Sequence, residues 1–471
     1  MARSTASAPS TNFIGPTPWP HQLETLKFGA SHPRVLDTSD PGIGKTRAHI
    51  EIYRARQKAK RGRLLVVCPK TLMYSAWGDD LNKFAPELSV SFATAAQRNE
   101  AFEMETDVVV INTDGVKWLG QKENRKYLLA FDHLIVDEFS YFKHHNSQRS
   151  KALAQLRKYF EHRYLLSGTP MSNTVMELWH PALICDDGKR LGTSYHKLRN
   201  SVQIAEQIGP GINHVKWKDK PGAVQAVHEL LADITVRHAF EDVMTHVPPN
   251  HRDVKQFKLS PKAQKYYDKM ANDCILALDD ATVTAVHAAS LRTKLLQIAS
   301  GAVYAQGEDS DYQLLDTQRY EMIADIIENR EHSVVFFNWR HQRDELLKEL
   351  DKRGMTFAVI DGSIPQRERD NIVTAYQEGK YQTILLHPRT GAHGLTLTRG
   401  TTTIVCSPIY EADLLKQGIH RIYRGSQNQV TNTILVQAKD TVEDLVYARL
   451  DQKTESMEDL LQLMRNRSKK K

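Results

Sequence analysis

No stretch of the 471-residue sequence strings together the roughly 18 apolar residues that a membrane span needs, so the chain is expected to lie outside a bilayer. Its four cysteines, Cys68, Cys185, Cys274 and Cys406, stand far apart and form no Cys-x-x-Cys pair. That argues against a disulfide scaffold or a zinc knuckle and suits a reducing compartment. The opening MARSTASAPSTNFIGPTP has no apolar core of a secretory signal and reads as a loose tail. Aromatic residues are 8% of the chain, too few for a base-stacking platform to be picked out. No solenoid-type repeat and no long low-complexity segment interrupts it. Neither sign of charge dominates: 63 Lys and Arg against 56 Asp and Glu leave +7, which permits a polyanionic partner without demanding one. The closing RNRSKKK adds nonspecific attraction to phosphate or is simply disordered. His144 and His145 are adjacent but have no further ligands at metal spacing, and read as a surface loop.

Two blocks of strand-like runs alternating with helical patterns fill the rest. The first holds RLLVVCP, DVVVINT, HLIVDE and RYLLSGTP; the second holds SVVFFNW, TFAVIDG, QTILLHP, TTIVCS and TNTILVQA. Continuous apolar, β-branched runs separated by helices indicate parallel sheets buried on both faces, hence two α/β domains. Between them, from Glu177 to Asn329, strands look scarce and helical patterns dominate. HVPPNHR, His246 to Arg252, is the expected crossing point, and Cys68, Cys406, Trp77 and Trp179 read as packing residues.

The chemistry gathers at strand ends. After the short run RVL comes DTSDPGIGKT and then a helical pattern. A loop placed so aims backbone N–H groups and a helix N-terminus at an anion. Lys45 is then the residue for the β- and γ-phosphates, and Thr46 the hydroxyl for Mg²⁺. Ser39 stands where the usual pattern has its first glycine. LIVDEFS ends a strand in Asp137, suited to Mg²⁺, and Glu138, suited to orient or deprotonate a water. LLKQGIHRIYR is expected to form a helix with Gln417, Arg421 and Arg424 on one face, and a guanidinium there suits the charge of a transferring phosphoryl group. The phosphate loop is in the first block and the arginines are in the second. ATP hydrolysis is therefore expected to need the two blocks to close. Lys70 and Thr71, Asn112 and Thr113, and residues 391 to 396 are short polar or glycine-rich strand ends of the kind that touch nucleic-acid backbone without reading sequence.

In order, from about Pro18 to Leu461, these segments resemble the superfamily 2 helicases, and within them the SWI/SNF-like DNA-dependent ATPases. PWPHQLETLKF resembles the family's leading segment, which implies that Gln22 reads adenine. SDPGIGKT is similar to the variant phosphate loop of superfamily 2, implying that Asp40, Gly42, Ile43, Gly44, Lys45 and Thr46 hold ATP and Mg²⁺. In VDEFSYFK, Phe139 and Ser140 depart from the family's Ala-His, which removes the histidine that links this motif to the next. LLSGTPMSNTVMELW resembles the motif coupling nucleotide state to domain closure, through Ser167, Gly168 and Thr169. PRTGAHGLTLT resembles the glycine-rich motif of the second domain, implying that Gly391, Gly394 and Thr396 contact nucleic acid. QGIHRIYRGSQ resembles the last motif, with Ser426 in place of glycine, and makes Arg421 and Arg424 the candidate arginine fingers. LLADITVRHAFEDVMTHVPP with KLSPKAQKYYDKM is similar to the family's basic pair, Asp-Val, Leu-Pro and Ser-x-x-Gln-x-x-x-Tyr.

The expected organisation is a tail over 1–15 and a first RecA-like domain over 16–248 with a helical protrusion from about 177. A second RecA-like domain follows over 249–462, opening with a helical segment over about 258–300, and then a basic tail. The resemblance implies an ATP-driven translocase of the compact phage or bacterial type, binding DNA without sequence preference, cytoplasmic and monomeric. A strand-separating helicase and a nucleotide-switched nucleic-acid binder are the alternatives.

Overall fold

The computed structural model describes residues 12–59, 62–207, 215–279, 285–304, 311–391 and 395–452. The chain divides into two units, with Thr245 closing one and His246 opening the other. No helix among the described residues is long and apolar enough to cross a membrane.

The first unit is built on strands β1 (Arg34–Asp37), β2 (Arg63–Cys68), β3 (Val90–Ala93), β4 (Val108–Asn112), β5 (Phe131–Asp137), β6 (His162–Leu166) and β9 (Thr235–Val236). They form one sheet in the order β3-β4-β2-β5-β6-β1-β9, with every pairing parallel. Alternate side chains point to opposite faces. Leu65, Val67, Val109, Ile111, Leu134 and Val136 enter one core, while Leu64, Val66, Val108, Val110 and Ile135 enter another. Both faces are dry, which is why these strands read as unbroken apolar runs.

The second unit repeats the plan with β10 (Asn250–Phe257), β13 (Ser333–Phe336), β14 (Phe357–Ile360), β15 (Thr383–Leu386), β16 (Thr402–Val405) and β17 (Thr431–Ala438). Its order is β10-β17-β16-β13-β15-β14, again all parallel. A small antiparallel pair, β11 (Ala302–Tyr304) and β12 (Tyr312–Leu314), stands apart from that sheet.

Two departures from the sequence reading have physical causes. The insertion in the first unit is not purely helical, because β7 (Gln203–Gln207) and β8 (Val215–Asp219) form an antiparallel hairpin. Its VKWKD alternates, and Trp217 is covered by the Arg199 guanidinium at 3.8 Å from the ring centre. β10 is an edge strand with β17 as its neighbour in the sheet and mostly exposed side chains. Its sequence, NHRDVKQF, therefore carries no apolar run to announce it.

Candidate active site

β1 delivers the chain to the phosphate loop and helix α2 (Lys45–Ala59) carries it away. Gly42 and Gly44 have φ of 80° and 78°, a region closed to most side chains, so glycine is required at both. Beneath the loop, the buried Asp37 carboxylate accepts the Ser39 amide at 2.9 Å and pairs with His49 Nε2 of α2 at 2.9 Å. Burial alone would raise the Asp37 carboxyl; the bond and charge of His49 hold it well below the usual range instead. The amides of Thr38 and Asp40 are taken by the carbonyls of Val236 and His238. The anion-facing task therefore falls to the amides of residues 42–46, at the N-terminus of α2.

Lys45 Nζ donates to the carbonyls of Ser39 and Asp40 at 2.7 and 2.9 Å. Burial pushes its ammonium down, against the pull of Asp37, Asp137, Glu138 and Asp40. An anion in the loop would supply the charge that two carbonyls replace only in part. Helix α1 (Pro20–Ser31) closes the other side. There Gln22 accepts the Trp19 amide at 2.9 Å and donates to the Gly44 carbonyl at 3.0 Å, while His21 Nε2 meets the Ile43 carbonyl at 2.8 Å. A Cβ on Gly44 would come within 2.4 Å of the Gln22 amide, so loop and helix fit as a pair.

β6 lies beside β1 and β5 beside β6, all three parallel and ending at the same rim. Asp137 is the last residue of β5, and Glu138 follows in the left-handed region at φ 60°, a backbone cost of about 1–3 kcal/mol. Two hydroxyls offset it by donating to Glu138 Oε1: Ser140 at 2.7 Å and Ser167 at 2.6 Å. Ser167 is thus the polar link between the acidic motif and the Ser-Gly-Thr turn, made here without the family's histidine. Gly168 packs on the loop, since a Cβ there would sit 2.7 Å from the Pro41 ring. Thr169 Oγ1 is buried without a protein partner.

Trp77, read from the sequence as packing, does more. A π-helical turn over Met73–Gly78 presents its indole, which donates to Asp137 Oδ2 at 2.9 Å. Burial pushes the Asp137 carboxyl up to about 6; the Trp77 bond opposes this and the Glu138 charge adds to it. Asp137 closes β5 and Thr46 lies in the first turn of α2, and a carboxylate and a hydroxyl are donors suited to a hard divalent cation that keeps several waters. The residues fit Mg²⁺ and would supply it with one carboxylate and one hydroxyl.

In the second unit the helix Ala412–Ile419 stops before the two arginines, so Gln417, Arg421 and Arg424 do not share a helix face. Gly418 lies in its last turn, where a Cβ would meet the Phe336 ring at 2.9 Å. Glycine is needed there for packing and weakens the helix. The arginines converge by another route: both donate to the Leu395 carbonyl at 3.2 Å, and Arg424 also reaches Thr396 Oγ1 at 2.7 Å. Gln417 is buried and its carbonyl accepts Arg421 Nε at 2.9 Å. The last two motifs are thereby one structure. Of the nucleic-acid candidates, Lys70 and Thr396 are exposed, Thr71 is half-buried, and Thr113 and Gly391 are buried. Gly394 lies outside the described residues.

A phosphate loop, an acidic pair and a Ser-Gly-Thr turn on the ends of three adjacent parallel strands, in a chain with a second such sheet, define an ATP-hydrolysing core of the helicase type. Residues 32–301 match the SNF2-related domain and residues 318–426 the helicase conserved C-terminal domain. The chain belongs to the SNF2-related family of superfamily 2, whose members are DNA-dependent ATPases. It is 26% identical to protein p41 of Acyrthosiphon pisum secondary endosymbiont phage 1, over 96% of this chain and 99% of that one. It is 24% identical to the chromodomain-helicase-DNA-binding protein 1-like of Mus musculus, over 87% of this chain and 45% of that one. Among solved structures it is similar to the Sulfolobus solfataricus SWI2/SNF2 ATPase core in complex with dsDNA, at 19% identity and a TM-score of 0.44, covering 95% of this chain and 93% of that one. The chain spans almost all of the phage relative and less than half of the mouse one.

Proposed function

We propose that this chain is an ATP-driven motor that translocates on DNA without sequence preference and remodels DNA or protein–DNA complexes. The observation that carries the reading is the gathering of Lys45, Asp137, Glu138 and Ser167 around the ends of β1, β5 and β6. In this reading Lys45 and the amides of 42–46 bind the phosphates. Asp137 and Thr46 hold Mg²⁺, which neutralises phosphate charge when bound. Glu138, fixed by two hydroxyls, orients and deprotonates the attacking water. Arg421 and Arg424 of the second unit act as arginine fingers, and Lys70, Thr71 and Thr396 touch the nucleic-acid backbone. Family membership and the DNA-binding name of the mouse relative support DNA as the track. Similarity to a phage protein supports work in the cytoplasm of a bacterial or phage-infected cell, where the reading takes the chain to act as a monomer.

The test is steady-state ATP hydrolysis alone and with single-stranded, duplex or forked DNA or RNA, with Lys45→Ala as the blank. Stimulation by duplex DNA is expected. A preference for forks would favour strand separation, and hydrolysis indifferent to every nucleic acid would remove the motor reading.

A further inference from the structure

The last strand of the first unit is only two residues long, yet the segment around it holds the phosphate loop at several points. β9 pairs with β1 in the register Leu36↔Thr235 and Asp37↔Val236. Beyond it, His238 N donates to Ser39 Oγ at 3.0 Å, and Phe240 N donates to Asp40 Oδ2 at 2.9 Å. Arg237 donates to the Thr38 carbonyl at 2.7 Å and forms an ion pair with Asp40 Oδ1 at 2.9 Å. The pair is enclosed, with side-chain exposures of 4% for Arg237 and 10% for Asp40.

Asp40 is an awkward residue for its place. A carboxylate inside an anion-binding loop repels the phosphates that the loop exists to hold, and in an enclosed site water screens that repulsion poorly. We infer that Arg237 is a positioning residue for nucleotide binding: it neutralises the Asp40 carboxylate and turns it away from the phosphate cradle, so that the segment leading into the second unit sets the affinity of the loop. A lysine would neutralise the charge, but only the guanidinium fork reaches the Thr38 carbonyl and Asp40 together.

The inference rests on the reading that the loop holds ATP, and the wild-type chain tests that first. Binding of a non-hydrolysable ATP analogue with Mg²⁺ is measured by calorimetry. If the wild-type chain binds none, the ATP reading fails and Arg237 has nothing to position. If it binds, Arg237→Met is expected to weaken the affinity roughly tenfold, equivalent to about 1.4 kcal/mol. It should raise KM for ATP by a similar factor with kcat at saturation retained. Adding Asp40→Asn to Arg237→Met should restore most of the affinity, because no charge is then left to compensate. A merely structural arginine would show no such rescue. Unchanged affinity in Arg237→Met, or a double variant as weak as the single, overturns the inference. Should Arg237→Met not fold, Asp40→Asn alone decides: affinity within about threefold of wild type supports neutralisation by Arg237, and a loss of tenfold or more shows that the carboxylate itself serves the nucleotide.

Discussion

The two sheets are close copies in plan, and they use buried charge for opposite ends. In the first unit Asp37, Asp40, Lys45, Asp137 and Glu138 crowd the ends of β1 and β5, each held by a neighbouring group of the chain beside the phosphate loop. In the second unit the most enclosed charges are Arg319 and Glu443, 1% and 0% exposed and 2.7 Å apart. Arg319 also donates to the carbonyls of Ala299, Cys406 and Val436, and Glu443 accepts the Ala438 amide at 2.8 Å. That cluster closes on itself and ties two strands to a helix. Burying a charge costs energy in either place; what differs is whether the missing partner is a ligand or another part of the chain.

The comparison is broken most severely at Glu138. Glu138→Gln keeps the shape and one hydroxyl acceptor but removes the base, so turnover should fall by roughly 10² to 10⁴. The urea midpoint should hold or rise, since one of several crowded negative charges has gone. Turnover within tenfold of wild type would show that Glu138 is not the base. Glu443→Gln should do the reverse. It leaves Arg319 enclosed without its carboxylate, and the urea-unfolding free energy of the second unit should drop by about 3–5 kcal/mol. Turnover per folded molecule should stay near wild type. A stable Glu443→Gln with impaired hydrolysis would mean that the second sheet's buried charge is also tied to the motor.

The same contrast explains what the sequence discloses. The phosphate loop, the acidic pair and the Ser-Gly-Thr turn are legible because each is a local run whose residue types are dictated by the group it faces. Strands with both faces covered announce themselves through apolar composition, and β10, exposed at an edge, does not. The wiring between motifs stays hidden because it joins distant positions. Trp77 reaches Asp137 across 60 residues, and Arg237 reaches Thr38 across 199. A tryptophan in an apolar helix reads as core, and Trp77 is core at 0% exposure; only the direction of its N–H reveals the second role. The Phe336 ring beneath Gly418, in the last turn of the helix that ends at Ile419, is likewise a contact between distant positions that no local pattern records.

The smallest effect separates the units by acid. His180 in the first unit makes a 2.7 Å hydrogen bond from Nδ1 to the Phe142 carbonyl, and burial pushes its pKa down to about 4. His341 in the second lies between Ser300 and Tyr304, at 3.0 and 2.9 Å, and burial pushes it down to about 3. Both rings are neutral in the fold and take a proton more readily when unfolded, at the ordinary 6.5. The unfolded state therefore binds more protons below pH 6.5. Stability is fully present above that value and falls as pH drops towards about 4 in the first unit and about 3 in the second. The slope is roughly 1.4 kcal/mol per pH unit for each group. Five of the six tryptophans precede Thr245 and Trp339 alone follows it, so fluorescence in urea reports mainly on the first unit. His180→Asn, which keeps a donor and cannot take the proton, should lower the slope of the stability that signal reports between pH 6.5 and 4 by about 1.4 kcal/mol per pH unit, while Glu443→Gln leaves the slope unchanged. The remainder comes from other histidines of the first unit whose pKa burial lowers, such as His162 and His133. An unaltered slope in His180→Asn would show that His180 is not among the groups that make the first unit acid-sensitive, and would leave that role to its other histidines lowered by burial, His162 first, whose pKa is also pushed down to about 4.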